Sequence, residues 1–256
     1  MDIKVIIAAH KKYPTPRDEM YIPLHVGAAG KRDIGFLRDD EGDNISNKNP
    51  RFCELTGLYY AWRNIDCDYL GLVHYRRHFK GKGGGAFPEN VLTKNEAEQL
   101  LSRADIILPK KRNYVIENLY SHYVHTLIPE PLDIAGEIIR QKYPNYYDEF
   151  LRLKKRRSAH MFNMFIMKKE MCDKYCEWLF DILFELEKRS GDISCSGFQA
   201  RFYGRVSELL LDVYINTNKL SSVECPVAFA EKEKWLKKGI SFLRAKFFGK
   251  KYGKSF

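Results

Sequence analysis

The segment Tyr69-Leu-Gly-Leu-Val-His-Tyr-Arg-Arg-His-Phe79 constrains this chain more than any other. Tyr69 to Val73 is a short apolar run of the kind found in buried strands of parallel sheets. It passes, without a turn, into two histidines and two arginines, an odd way to leave a sheet unless those groups line a site. Arginines at a strand's carboxyl end bind phosphate bidentately and keep their charge at any physiological pH. The alternative is a basic surface patch, or ion pairs to an acidic loop at residues 39–43.

The rest of the chain supplies the sheet that such a strand needs. Lys4-Val-Ile-Ile-Ala-Ala9 predicts another buried strand, ending at His10, and open α/β sheets hold ligands at strand ends. Tyr21-Ile-Pro-Leu-His-Val-Gly27 predicts a strand closed by glycine. The loop from Arg38 to Asn49 carries four acids and three asparagines and is either solvated or binds something polar. Asn49-Pro50 reads as a helix start, and Leu55, Leu58, Tyr59 and Trp62 continue it at helical spacing to about Asn64. Gly81 to Gly85 is a flexible loop, and Thr93-Lys-Asn-Glu96 is a capping box opening a helix that leads into a strand at Asp105 to Pro109. Residues 110–160 are less regular, with a helix near Leu132 to Tyr143 and a basic cluster Lys154-Lys-Arg-Arg157. Met161 to Met167 predicts a strand, Met171 to Leu186 a deeply packed helix, and Val206, Leu209, Leu210 and Val213 one more helix. Helix and strand alternate, so the fold class is α/β. No linker divides residues 1–233, which are expected to form one domain, with 234–256 as a separate tail.

Charge is unevenly placed. Of a net +10, eight basic residues with no acid fall in 234–256, so the body is nearly neutral, which argues against a nucleic-acid binder. Trp235, Leu236, Ile240, Leu243, Phe247 and Phe248 recur at helical spacing beside those lysines. A basic amphipathic helix of this kind suits an anionic membrane surface; the alternative is a helix packed on the domain. No run approaches the roughly 18 apolar residues of a spanning helix, and the first residues lack a basic leader. The expected location is therefore cytoplasmic, peripheral at the inner face of the cell membrane. The six cysteines form no Cys-x-x-Cys pair and read as buried free thiols in a reducing compartment.

Several segments together resemble a family of bacterial capsular and exopolysaccharide glycosyltransferases that long carried only an uncharacterised-domain label, some of them galactofuranosyltransferases. The matching stretches are Tyr21-Ile-Pro-Leu-His-Val-Gly-Ala28, Arg38-Asp-Asp-Glu-Gly-Asp-Asn-Ile-Ser46, Asn49-Pro-Arg-Phe-Cys-Glu-Leu-Thr56, Tyr60-Ala-Trp62, Gly71-Leu-Val-His-Tyr-Arg-Arg77, Asn163-Met-Phe-Ile-Met167, Trp178 to Glu185, Gln199-Ala-Arg201 and Ser207-Glu-Leu-Leu210. The resemblance implies a GT-A-like, Rossmann-type α/β sandwich with a mostly parallel central sheet and a helical C-terminal part. It implies transfer of a sugar from a UDP-sugar to a lipid-linked oligosaccharide in capsule, exopolysaccharide or O-antigen synthesis. A competing reading is a non-catalytic, membrane-associated scaffold of a polysaccharide assembly complex.

The site residues expected on that basis fall into three groups. His10, Asp39, Asp40, Asn44, Asn47, His74, Tyr75, Arg76 and Arg77 would bind the nucleotide-sugar, the arginines stabilising a diphosphate leaving group. For the loop acids and asparagines the alternative is plain turn formation. His122, Asn163 and Arg201 would bind the acceptor. If the anomeric centre inverts, a carboxylate must take the acceptor proton, and Glu208 and Asp192 are the candidates. Enzymes of that fold commonly place an Asp-x-Asp after the central strand to hold a metal, where this chain reads His74-Tyr-Arg76. The expectation is metal independence, no cofactor, with a manganese or magnesium site built from His74 and a loop acid as the alternative. Tyr203-Gly-Arg205 and Ser207-Glu-Leu209 depart from the family pattern and weaken roles carried to residues 205 and 209.

Overall fold

The structure, a computed structural model, describes residues 1–191, 193, 195 and 197–231. The expected tail helix at 234–256 and Asp192 lie outside the described residues.

In chain order the elements are β1 (Ile3–Ala9), β2 (Tyr21–His25), β3 (Leu37–Arg38), α1 (Asn49–Phe52), α2 (Leu55–Asn64), β4 (Tyr69–His74), β5 (Arg77–Phe79), α3 (Lys94–Leu101), β6 (Ile106–Pro109) and β7 (Arg112–Asn113). There follow α4 (Leu119–Thr126), α5 (Glu130–Lys142), α6 (Pro144–Lys155), β8 (Ser158–Ala159), β9 (Phe165–Lys168), α7 (Lys169–Arg189), α8 (Phe202–Thr217), β10 (Ser222–Cys225) and β11 (Val227–Phe229). The main sheet runs β10-β6-β9-β4-β1-β2-β3, parallel except where β9 runs against both neighbours. β5 and β11 form an antiparallel flap off the end of β4.

Strand alternation sorts the core into two faces. Ile6 and Ala8 of β1 and Leu70 and Leu72 of β4 pack against α2 and the helices α4 to α8. Ile3, Val5 and Ile7 with Tyr69 and Val73 face the thinner layer, with Ala97 and Leu101 of α3. Gly71 sits where β1, β4 and β9 are closest: a Cβ there would lie 2.8 Å from the Ile166 side chain and 2.9 Å from the Phe165 carbonyl, so only glycine fits. Thr93 and Glu96 form the expected capping box at the start of α3.

Three sequence expectations need correction. The helix expected over residues 49–64 is two helices, broken at Cys53, whose φ is +55°. The strand expected from Met161 begins only at Phe165, because Phe162 (φ +79°) and Asn163 (φ +54°) take left-handed conformations and turn the chain first. The stretch 110–160 is well ordered, with three helices and the short β7/β8 pair. The first two departures involve backbone that a non-glycine residue adopts at a cost, and they lie side by side at the site described next.

Candidate functional site

β1 and β4 are adjacent and parallel, with Ala8 opposite His74, so their carboxyl ends deliver His10 and His74-Tyr-Arg-Arg77 to one edge of the sheet. Tyr75 is buried and anchors the corner: its amide donates to the Ala8 carbonyl at 3.1 Å, and its ring meets His10 edge-on with centroids 4.9 Å apart. The Tyr75 hydroxyl lies 3.5 Å from His10 Nε2. The Arg76 guanidinium lies over the Tyr75 ring at 5.5 Å, and its Nε is buried without a hydrogen-bond partner among the described residues. Arg77 lies over Phe162 at 4.6 Å.

Cations crowd this edge. Burial, and then Arg77 and Arg76, with His10 and Arg201 beyond them, hold the His74 imidazole well below the usual histidine range. Burial, then Arg76, Lys11, Arg201 and Lys31, lowers His10 in the same direction. Both rings are therefore neutral at pH 7, surrounded by fixed positive charge, at the strand carboxyl ends where open α/β sheets hold ligands. His78, the other histidine of the opening motif, goes elsewhere. It is buried among Tyr13, Tyr21 and Phe87, and burial pushes its pKa down to about 3.

The second half of the site comes from the two strained turns and α8. Asn163 donates through Nδ2 to Glu54 Oε1 at 2.8 Å and to the Gly204 carbonyl at 3.1 Å, while its Oδ1 is buried without a partner among the described residues. Arg201 Nε donates to Cys53 Sγ at 3.0 Å. Burial pushes the Cys53 thiol up to about 11, which removes it as a nucleophile. Arg205 pairs with Glu208 at 3.0 Å. Glu54, on the kink between α1 and α2, is partly exposed and within electrostatic reach of Arg201, Arg205 and Glu208.

Of the residues expected from sequence, the structure brings His10, His74, Tyr75, Arg76, Arg77, Asn163, Arg201 and Glu208 into one neighbourhood. Arg201, expected on the acceptor side, stands with the histidines and arginines of the strand ends. Glu208 faces neither solvent nor an open cleft: it is 4% exposed, because α8 is packed on all sides. Burial raises its pKa against the pull of Arg205. The acidic loop takes a different part from the one expected. Asp39 is buried and its carboxylate accepts from the Gly27 and Ala28 amides at 2.8 and 2.9 Å and from the Ser46 and Thr56 hydroxyls, leaving no acceptor for a ribose. Asp40 is held by a two-point contact with Arg38. Asn44 caps its own turn, accepting from the Ser46 amide and donating to the Gly42 carbonyl, and Asn47 is exposed on the surface. His122 stacks on Tyr114 with centroids 4.1 Å apart beside the buried Glu117, and burial lowers its pKa to about 4. Sequence reasoning missed Glu54 and Arg205, although both lie within stretches that it had singled out.

No curated protein matches the chain. Among solved structures, the apo structure of the WbbM bifunctional glycosyltransferase superposes with a TM-score of 0.81 at 30% identity, covering 91% of this chain and 46% of that one. The chain thus spans about half the length of that protein. The architecture is that of a GT-A-like glycosyltransferase fold. Where metal-dependent enzymes of this fold carry paired acids, this chain has His74 and Arg76, and the loop acids Asp39 and Asp40 are already engaged. Among the described residues no group of three or more His, Cys, Asp or Glu could hold a metal ion. The family described as a domain of unknown function, DUF4422, matches residues 4–219, and the chain belongs to it.

Proposed function

We propose that the chain transfers a hexose from a UDP-sugar to a hydroxyl of a lipid-linked oligosaccharide during surface polysaccharide synthesis, with inversion and without a metal. Galactofuranose is the donor sugar that the sequence resemblance favours. One observation carries the reading: His10, His74, Arg76, Arg77 and Arg201 converge at the carboxyl ends of β1 and β4, with the buried Arg76 Nε left without an acceptor. A diphosphate supplies the acceptor oxygens and the negative charge that this arrangement lacks.

In the reaction the bond between the anomeric carbon and the diphosphate oxygen breaks as the acceptor oxygen bonds to that carbon. Arg76 and Arg77 offset the charge that develops on the leaving diphosphate, the task a metal performs elsewhere. Neutral His74 and His10 donate hydrogen bonds to it. The acceptor proton passes to Glu54, whose carboxylate is partly exposed and oriented by Asn163. Glu208 is placed to fix Arg205 rather than to meet the acceptor.

Incubating the chain with a panel of UDP-sugars and a synthetic lipid-linked acceptor, with and without EDTA, tests all parts together. The expected result is turnover of one donor, unaffected by EDTA, with the product's anomeric configuration opposite to the donor's by NMR. Absence of both turnover and calorimetric binding across the panel would refute the reading.

A further inference from the structure

The β7/β8 pair assembles a surface that the transfer reaction does not use. Arg112 pairs with Ala159 and Asn113 with Ser158, which brings Lys110-Lys-Arg112 alongside the basic run Lys154-Lys-Arg-Arg157. Lys154 and Arg156 are paired with Asp133 and Glu149. Lys110, Lys111, Arg112, Lys155 and Arg157 form no ion pair with any described carboxylate, and all but the half-buried Arg112 are exposed.

The turn beyond β7 raises two aliphatic side chains above these cations. Val115 is 66% exposed and Ile116 53%, the two most exposed large hydrophobic residues among the described ones. The conformation at Val115 is left-handed, with φ +47°, which β-branched residues rarely adopt. The turn is fixed by its own bonds: the Asn113 side chain accepts from the Val115 amide at 2.9 Å, and Arg157 donates to the Val115 carbonyl at 3.1 Å. Glycine or asparagine would hold the same turn without strain. No core contact accounts for a valine there.

We propose that this two-stranded ribbon, with the turn beyond β7, is a docking surface for an anionic phospholipid membrane, with Val115 and Ile116 entering the headgroup boundary and the five cations that lack an ion pair among the described residues meeting lipid phosphates. Cations around an aliphatic tip match what such an interface offers. A nucleic acid would use the cations and leave the two aliphatic side chains without a partner. The turn beyond β7 also leads directly into α4, where His122 packs against Tyr114, and Tyr114 lies within electrostatic reach of Arg205. Docking here brings the Arg205 side of the site toward the membrane, whichever sugar is transferred.

The test uses the full chain. Sedimentation with vesicles of phosphatidylcholine alone, and with vesicles containing phosphatidylglycerol, should show binding to the anionic ones. Val115→Asp combined with Ile116→Asp should weaken it by about tenfold or more, with an unchanged thermal melt. In a second variant, Ile116→Trp, fluorescence should shift to the blue and be quenched by brominated lipid on adding anionic vesicles. Unaltered partitioning of the double aspartate variant, or an unshifted Ile116→Trp spectrum, overturns the proposal. So does tight binding of a DNA duplex without vesicle binding.

Discussion

Asn163 Nδ2 donates to Glu54 Oε1 at 2.8 Å across 109 positions of sequence, joining the two left-handed turns at Cys53 and at Phe162-Asn163. Each turn holds non-glycine residues in conformations that cost of order 1–3 kcal/mol apiece, and such strain collects where geometry must be fixed for function. The Asn163 bond orients the carboxylate while leaving it partly open to solvent. Glu54→Gln should therefore lower kcat by ~10²–10⁴, the range for loss of a general base, with UDP-sugar affinity unchanged. Asn163→Ala should lower kcat less. Steady-state kinetics alongside calorimetry will separate the two effects, and a Glu54→Gln enzyme within tenfold of wild type would move the proton to another acceptor.

Arg76 offers a cleaner probe of the donor half than Arg77, because its buried Nε has no partner among the described residues for a substitution to disrupt. A charge-assisted hydrogen bond contributes about 1.5–3 kcal/mol, so Arg76→Ala should weaken UDP-sugar binding ~10–100-fold. Arg76→Lys should recover only part, since an ammonium cannot make a two-point contact with phosphate. The melting temperature should stay within a degree or so of wild type, as expected for a side chain outside the core. Titration calorimetry at two salt concentrations is the measurement, and an affinity that ignores both substitutions rules out Arg76 as a diphosphate ligand.

The depressed histidines give the site a pH signature. Free His10 and His74 bind their proton only below the ordinary value of about 6.5, because burial and neighbouring cations disfavour the charged form. A bound diphosphate reverses the local sign and raises both. Binding therefore takes up protons, and affinity should rise as pH falls from 7.5 toward 6. A UDP-sugar is the right ligand, since its diphosphate is doubly esterified and exchanges no proton in that window. Comparing binding heats in buffers of different ionisation enthalpy reads the uptake directly; zero uptake would mean that the ligand does not touch the histidines. Folding stability runs the other way. With their folded values lowered, the two histidines favour the folded state fully above about pH 6.5 and lose that contribution as the pH falls toward their folded values.

What the sequence disclosed, and what it hid, follows from where the information resides. β1, β4, α3 and α7 were legible because an apolar run, a capping box or a long apolar stretch is a local signal. The break at Cys53 was not, since neither glycine nor proline marks it and the helical spacing from Leu55 to Trp62 continues beyond it. Asn163 carried one clue, its type's tolerance of left-handed φ, but four apolar neighbours read as strand. At the site, the cationic strand end was visible because it interrupts an apolar run. Glu54 was not, because a carboxylate in a helical stretch is ordinarily a solvated one, and what distinguishes it is a contact from far along the chain. Glu208 was hidden in the opposite sense: a carboxylate opposite the apolar stripe Val206, Leu209, Leu210 and Val213 is ordinarily exposed, and its burial comes from Arg205 and the loop at Phe162, neither of which that stripe reveals.

Asp39 supplies a prediction that separates support from binding. Its carboxylate closes the loop after β2, where Gly27 (φ +63°) turns so close to Asn49 that a Cβ would lie 2.5 Å from that side chain. Asp39→Ala leaves the buried Gly27 and Ala28 amides and the Ser46 hydroxyl without their acceptor, while the Thr56 hydroxyl keeps the Cys53 carbonyl at 3.2 Å. At roughly 1–3 kcal/mol for each unsatisfied buried group, the loss should reach at least about 3 kcal/mol. For a chain of this size that corresponds to a melting temperature lower by ~6 °C or more. The same loop carries Lys31 to the neighbourhood of His10, so UDP-sugar affinity should fall as well, by less than in Arg76→Ala. A variant that melts like wild type yet loses binding would restore Asp39 to the role of a direct sugar or ribose ligand. One that loses stability first, with affinity recovering at low temperature, identifies the carboxylate as the post on which the donor loop is hung.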